Sequence, residues 1–170
     1  MVQAYQRQLY IYTCRMLGSE QDAEDAVQDI FLKAFKSLHG YKPTVSFNAW
    51  IYRIAYHHCL NILHKRQSYG RVARLLKRDA QVGSAEEEFL NGVFSESLSL
   101  ALDSLHGKER GMLILHAFHE KSYAEIGEIT GKSPESVRKK LTRIKQKLKN
   151  KMSQGQEETT WQTSWIQTKS

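Results

Sequence analysis

Only two prolines, Pro43 and Pro134, interrupt 170 residues, and apolar residues recur at intervals of three and four along almost the whole chain. That interval is the period of a helix with one buried stripe, and proline is the residue that breaks it. The pattern predicts an all-α protein, with no stretch alternating as a strand would. The longest clean apolar run, Met112 to Leu115, falls far short of the roughly 20 residues that span a bilayer.

The spacing predicts a first helix from Gln3 to Leu17, with Leu9, Tyr12 and Met16 on one stripe and Gly18 at its end. Ser19 and Asp22 resemble a capping box with a shorter acid. They open a second helix to about Leu38, which aligns Ala23, Ala26, Val27, Ile30, Ala34 and Leu38. After a turn from His39 to Ser46, a third helix runs from Phe47 to about Lys65. Its inward stripe is Phe47, Trp50, Ile51, Ile54, Ala55, His58 and Ile62. These three helices make a small bundle over residues 1–66.

From 67 to 97 the pattern weakens. A basic segment (Arg71, Arg74, Lys77, Arg78), either the start of a flexible linker or still the end of the third helix, gives way to Gly83-Ser84 and the acidic run Glu86 to Glu88, which have the composition of a linker. A second apolar block, from Leu98 to Met152, predicts a second small helical domain. Residues 153–170 form a polar tail broken by Trp161, Trp165 and Ile166, for which the sequence offers no role. The N-terminal Met1 to Gln8 lacks the apolar core of a signal peptide, which places the chain in the cytoplasm, and Cys14 and Cys59 suit buried reduced thiols.

Charge narrows the partners. Lys and Arg exceed Asp and Glu by 25 to 18, and between Lys132 and Lys151 nine basic residues face one acid, Glu135. Lysine-rich helix faces are often merely solvated, but here the charge sits on a helix-turn-helix pattern. Ser122 to Lys147 reads as a short helix, a tight turn and a longer helix. Gly131 is suited to end the first helix, Ser133 to cap the second, and Pro134 to occupy its first position. Gly127 lets the two helices approach, with Ile126, Ile129 and Val137 between them. Ser133, Glu135, Ser136, Arg138, Lys139, Thr142 and Arg143 are the candidate duplex-contacting residues, the first turns for base edges and the later lysines for phosphates.

The two long helices of the first bundle have unlike outer faces. The second exposes Glu24, Asp25, Gln28 and Asp29, which suits a protein partner. The third carries Tyr52, Arg53, Tyr56, His57, Asn61, His64, Lys65 and Arg66, aromatics among cations on which unpaired bases could stack. Trp50 shares its phase with Phe47 and Ile54, which favours core packing over a wedge into DNA. Helical phase sends His57 and His58 in different directions, so these two with Cys59 and His64 do not converge on a metal, and His116 and His119 lack partner ligands. Phosphate-binding glycine loops, His-Glu-x-x-His, cysteine pairs and nucleophile elbows are all missing, so neither catalysis, a cofactor nor a small-molecule substrate is expected.

Ala23-Glu24-Asp25-Ala26-Val27-Gln28-Asp29-Ile30-Phe31 and Ala49-Trp50-Ile51-Tyr52-Arg53-Ile54-Ala55 resemble region two of extracytoplasmic-function (ECF) sigma factors of the sigma-70 family. Ser122-Tyr123-Ala124-Glu125-Ile126-Gly127 and the helix after it resemble region four. The resemblance departs at His57 and Asn61, where the family has Asn and Asp, and at Gly127, where Ala is common.

It implies that Asp25, Gln28, Asp29 and Phe31 dock on the clamp helices of the largest subunit of core RNA polymerase. Trp50, Tyr52, Arg53, Tyr56, His57, Asn61 and Lys65 would open the minus-ten element and hold its non-template strand, and the helix from Pro134 would read the minus-thirty-five duplex. An inhibitory anti-sigma partner is implied as well. The alternative, a stand-alone helix-turn-helix regulator, predicts tight duplex binding without polymerase.

Overall fold

The computed structural model describes residues 2–76 and 96–154, which hold seven α-helices, a single 3-10 turn and no strand. The expected Gly83-Ser84 and Glu86 to Glu88 segments and the tail tryptophans lie outside the described residues. No described helix is long and apolar enough to cross a membrane.

α1 (Val2–Leu17) and α2 (Glu20–Ser37) form a tight hairpin. Gly18 turns the corner at φ 68°, a conformation that a Cβ would disfavour. The Ser19 hydroxyl accepts the Asp22 N–H at 3.3 Å. The Asp22 carboxylate does not complete a capping box; it pairs with Arg66 of α3, whose guanidinium also donates to the Leu17 carbonyl at 2.6 Å. One arginine thus pins the hairpin corner to the third helix. A 3-10 turn (Leu38–Gly40) then leads through a loop to Ser46, whose hydroxyl caps α3 by accepting the Ala49 N–H at 3.1 Å.

α3 extends from Phe47 to Leu76 without a break, so the segment expected to begin a linker at Gln67 continues the helix. It is the spine of the molecule. On one side Ile51, Ala55 and His58 are buried, and on another Tyr52, Tyr56, Cys59 and Leu60 are. A surface helix buries one stripe; a second buried stripe means that something else covers it.

The cover is the C-terminal half. There α4 (Glu96–Asp103), α5 (Gly107–Ala117), α6 (Tyr123–Thr130) and α7 (Pro134–Gln154) pack around α5, in which every residue from Arg110 to His116 is buried. α3 packs against both α5 and α6, and α1 against α5, so one hydrophobic cluster runs from Leu9 through Tyr52 and Leu113 to Met152. The two predicted domains are therefore docked on each other. Cys14 and Cys59 are buried free thiols, and burial pushes both upward in pKa, Cys59 to about 12.

Candidate nucleic-acid and partner-binding surfaces

The second half carries a complete helix-turn-helix. Ser122 and Glu125 form a reciprocal capping box at the start of α6 (3.2 and 2.8 Å), and Gly131 ends it at φ 71°. Ser133 then caps α7 by accepting the Ser136 N–H at 3.2 Å. Ile126, Ile129 and Val137 fill the angle between the helices with no exposure. Gly127 serves the turn itself: a Cβ there would stand 2.5 Å from the Lys132 carbonyl oxygen, so the turn folds tightly onto the α6 backbone.

On the outer face of α7, Ser133, Glu135, Arg138, Lys139, Thr142 and Arg143 are exposed, while Ser136 is half-buried. Arg138 and Lys139 both reach the Glu135 carboxylate, at 2.8 and 3.5 Å, and the Arg138 hydrogen bond holds that carboxyl below its usual range. The Thr142 hydroxyl donates to the Arg138 carbonyl at 3.0 Å. Lys147, which the sequence assigns to phosphate, instead pairs with Glu109 of α5 at 2.9 Å.

On α2 the structure brings Asp25, Gln28 and Asp29 onto one exposed strip. Phe31 does not join it; its ring is half-buried against the core. The apolar groups that continue the strip are Leu32 and Phe35, 57% and 74% exposed. Their signal in the sequence is phase: at 100° per residue Leu32 falls between Asp25 and Gln28 and Phe35 beside Gln28, both away from Ala26, Ile30 and Ala34.

α3 requires the largest correction. Tyr52 and Tyr56 lie on one face, as their spacing requires, but that face is interior. They are 1% and 3% exposed, and burial pushes both phenols up to about 12. Arg66 is likewise half-buried in its ion pair. What α3 offers outward is Trp50, Arg53, His57, Asn61 and Lys65, positions that fall within one sector of the helix.

Trp50 is half-buried in an aromatic cluster with Tyr41 and Phe47 (centroids 5.1 and 5.3 Å away). The same side chain lines a groove of about 570 Å³ between α2 and α3, together with Lys33, Lys36, Arg53, His57 and Asn61. No acid lines this groove. Lys33 lies 2.6 Å from His58 Nδ1, a contact that needs a neutral imidazole, and the histidine is held below its ordinary range by burial and then by Lys33. His57 is lowered too, by partial burial and by Arg53 and Lys108. The sequence named Arg53, His57 and Asn61 but missed Lys33 and Lys36, which reach the groove from the neighbouring helix.

Comparison with known proteins follows this division. Residues 1–69 match the family model of sigma-70 region 2, and residues 95–148 that of sigma-70 region 4. The chain is 31% identical over 158 residues to the RNA polymerase sigma factor YlaC of Bacillus subtilis, with 91% of each protein covered. It is 29% identical over 165 residues to the ECF RNA polymerase sigma factor SigE of Mycolicibacterium smegmatis, with 94% of this chain and 63% of that protein covered. Among solved structures, the sigma factor RpoE of Bartonella quintana, crystallised with the anti-sigma factor NepR, superposes with a TM-score of 0.65 at 19% identity, covering 87% of this chain and 91% of that one. CnrH in complex with the cytosolic domain of CnrY gives 0.63 at 24% identity, covering 91% and 86%. At those identities the two structures share the fold.

Proposed function

The chain belongs to the extracytoplasmic-function branch of the sigma-70 family, and from that premise we propose how its surfaces divide the work of promoter recognition in transcription initiation. Region 2 and region 4 in one chain are the observation that carries the reading, since a stand-alone helix-turn-helix regulator has no use for the first. Such a factor supplies recognition while the polymerase performs the chemistry, so the chain itself catalyses nothing and acts in the cytoplasm, where the polymerase is.

The α2 strip of Asp25, Gln28 and Asp29, continued by Leu32 and Phe35, docks on the clamp helices of the largest polymerase subunit. Its charge gives orientation and its two exposed apolar groups give contact area. The basic groove beside it takes the non-template strand of the minus-ten element. Arg53, Lys33 and Lys36 meet phosphates, Trp50 offers a ring for an unstacked base, and His57 and Asn61 offer hydrogen bonds. Lys65, exposed further along α3, extends the same track. Tyr52 and Tyr56 are not part of this surface in the docked arrangement. α7 reads the minus-thirty-five duplex, with Glu135, Arg138 and Lys139 exchanging their mutual ion pairs for base edges and phosphates and Arg143 free to follow the backbone. RpoE and CnrH were each solved bound to a second protein, which supports an anti-sigma partner for this chain as well.

The test is run-off transcription with purified core polymerase on a supercoiled promoter library. New specific transcripts are expected from the wild type. The double variant Trp50→Ala, Arg53→Ala should still bind core polymerase but open promoters at least tenfold less well, as expected from base stacking of about 1–3 kcal/mol. Tight duplex binding without any association with polymerase would reverse the reading.

A further inference from the structure

α3 meets the second half on one face, where a Cβ on Gly111 would stand 2.7 Å from the Tyr56 ring, and α2 on another. On the α2 side lies a buried polar group to which no role has yet been given. His58 is 8% exposed and touches two side chains of α2 that stand one turn apart. Its Nδ1 lies 2.6 Å from Lys33 Nζ, and its Nε2 lies 3.5 Å from Asp29 Oδ2. Those two residues belong to different surfaces: Asp29 to the exposed strip, Lys33 to the basic groove.

Proton placement makes the two contacts a single arrangement. An ammonium only donates, so Nδ1 presents its lone pair and the neutral ring carries its hydrogen on Nε2. That N–H faces the carboxylate. At 3.5 Å the contact is long for a hydrogen bond, and Nε2 has no hydrogen-bond partner of its own. Among the described residues, the charged groups acting on the ring are Lys33 and Asp29 of α2 and Lys65 of α3. Burial, and then Lys33, favours its neutral form.

The helix shows what the ring prevents. Residues at i and i+4 are surface neighbours on a helix, and an acid that precedes a base by four pairs better than the reverse order. Asp29 and Lys33 have that spacing and order, yet each meets the imidazole instead. A carboxylate on Lys33 would neutralise it and compete for the donors that a phosphate needs. A neutral imidazole takes one of the three ammonium N–H groups and leaves the full charge and two donors for the groove. We infer that His58 is a positioning residue: it stands between Asp29 and Lys33 so that the carboxylate stays available to the protein partner and the ammonium to the strand in the groove.

The inference rests on the sigma-factor reading. The probe is a fluorescent fork-junction fragment of a promoter found by run-off transcription, with the non-template strand of its minus-ten element unpaired. Its dissociation constant is measured on core polymerase saturated with the full-length factor, over a range of salt concentrations. His58→Leu removes both ring nitrogens and lets Lys33 close on Asp29. It should lower affinity at least threefold and make the salt dependence shallower by about 0.7, the slope of one phosphate contact on a single strand. His58→Asn, whose Oδ1 accepts from Lys33 as Nδ1 does, should bind as the wild type does. Asp29→Asn in the His58→Leu background removes the competing carboxylate and should restore the wild-type slope. A fold defect would reduce the amount of active factor without changing the slope, and Asp29→Asn would not reverse it. Wild-type binding by His58→Leu, a loss in His58→Asn equal to that in His58→Leu, or a loss that Asp29→Asn leaves in place would each overturn the positioning role. Normal run-off by the wild type with variants that all bind alike overturns this inference alone. A wild type that directs no transcription with core polymerase overturns the sigma reading and the positioning role with it.

Discussion

Glu120 sits at φ 52° in the turn between α5 and α6, the only non-glycine residue with positive φ among those described. Its side chain is exposed, so nothing in the packing offsets the backbone cost. Glu120→Gly should therefore stabilise the fold by about 0.5–1 kcal/mol, read as a higher urea midpoint at unchanged slope. Its neighbour His119 is lowered to about 4 by burial, then by Arg15 and Lys121. The packed form needs the neutral ring, whereas a ring released to water takes up a proton near its ordinary 6.5. This contribution to stability is complete above pH 6.5 and is lost as pH falls towards 4, with a limit of about 3 kcal/mol. Denaturation midpoints at pH 7.5 and pH 5 should show the decline, and His119→Gln should flatten it. Neither feature was legible beforehand. A sequence names the histidine and the lysine two residues on, but the burial that depresses it most comes from packing and Arg15 arrives from the first helix.

At the scale of elements, α2 separates two jobs by angle. Ala23, Ala26, Val27, Ile30 and Ala34 hold it in the bundle, while Leu32 and Phe35 face out among acids and amides. Phe35→Asp should leave the unfolding free energy, read from urea denaturation, within about 0.5 kcal/mol of wild type, as is usual for exposed sites, while reducing core-polymerase affinity at least tenfold in a pull-down titration. Periodicity located α2 and the helix-turn-helix well, because α2 and α7 each bury a single stripe, and the ends of α1, α2, α6 and α7 are marked by explicit chemistry at Gly18, Ser19, Gly131 and Ser133. It misread α3 for a definite reason. A helix covered on two sides carries apolar groups at most phases, and tyrosines with Arg53 and His57 as neighbours in sequence look like an exposed aromatic and basic face. Only the docked second half distinguishes Tyr52 from Arg53, and periodicity contains no information about that docking.

For the whole molecule, a single core shared by both halves implies cooperative unfolding. Calorimetry of the wild type at pH 7.5 should show one transition with matching calorimetric and van't Hoff enthalpies. Gly111→Ala should split it into two, one per half. Tyr56→Ala would remove a large buried ring from that shared core, and about 3–5 kcal/mol is the usual loss for a buried aromatic. Its effect on transcription would then report folding, where the sequence had pointed to base stacking. The long helix at the centre has one more consequence. Trp50, Arg53, His57 and Asn61 stand on one side of α3, and Tyr52, Tyr56 and Cys59 on the other. Substitutions at the outward set can thus change what the proposed DNA groove accepts while the packing between the two halves is inherited intact at the other, so the two traits are free to diverge at their own pace.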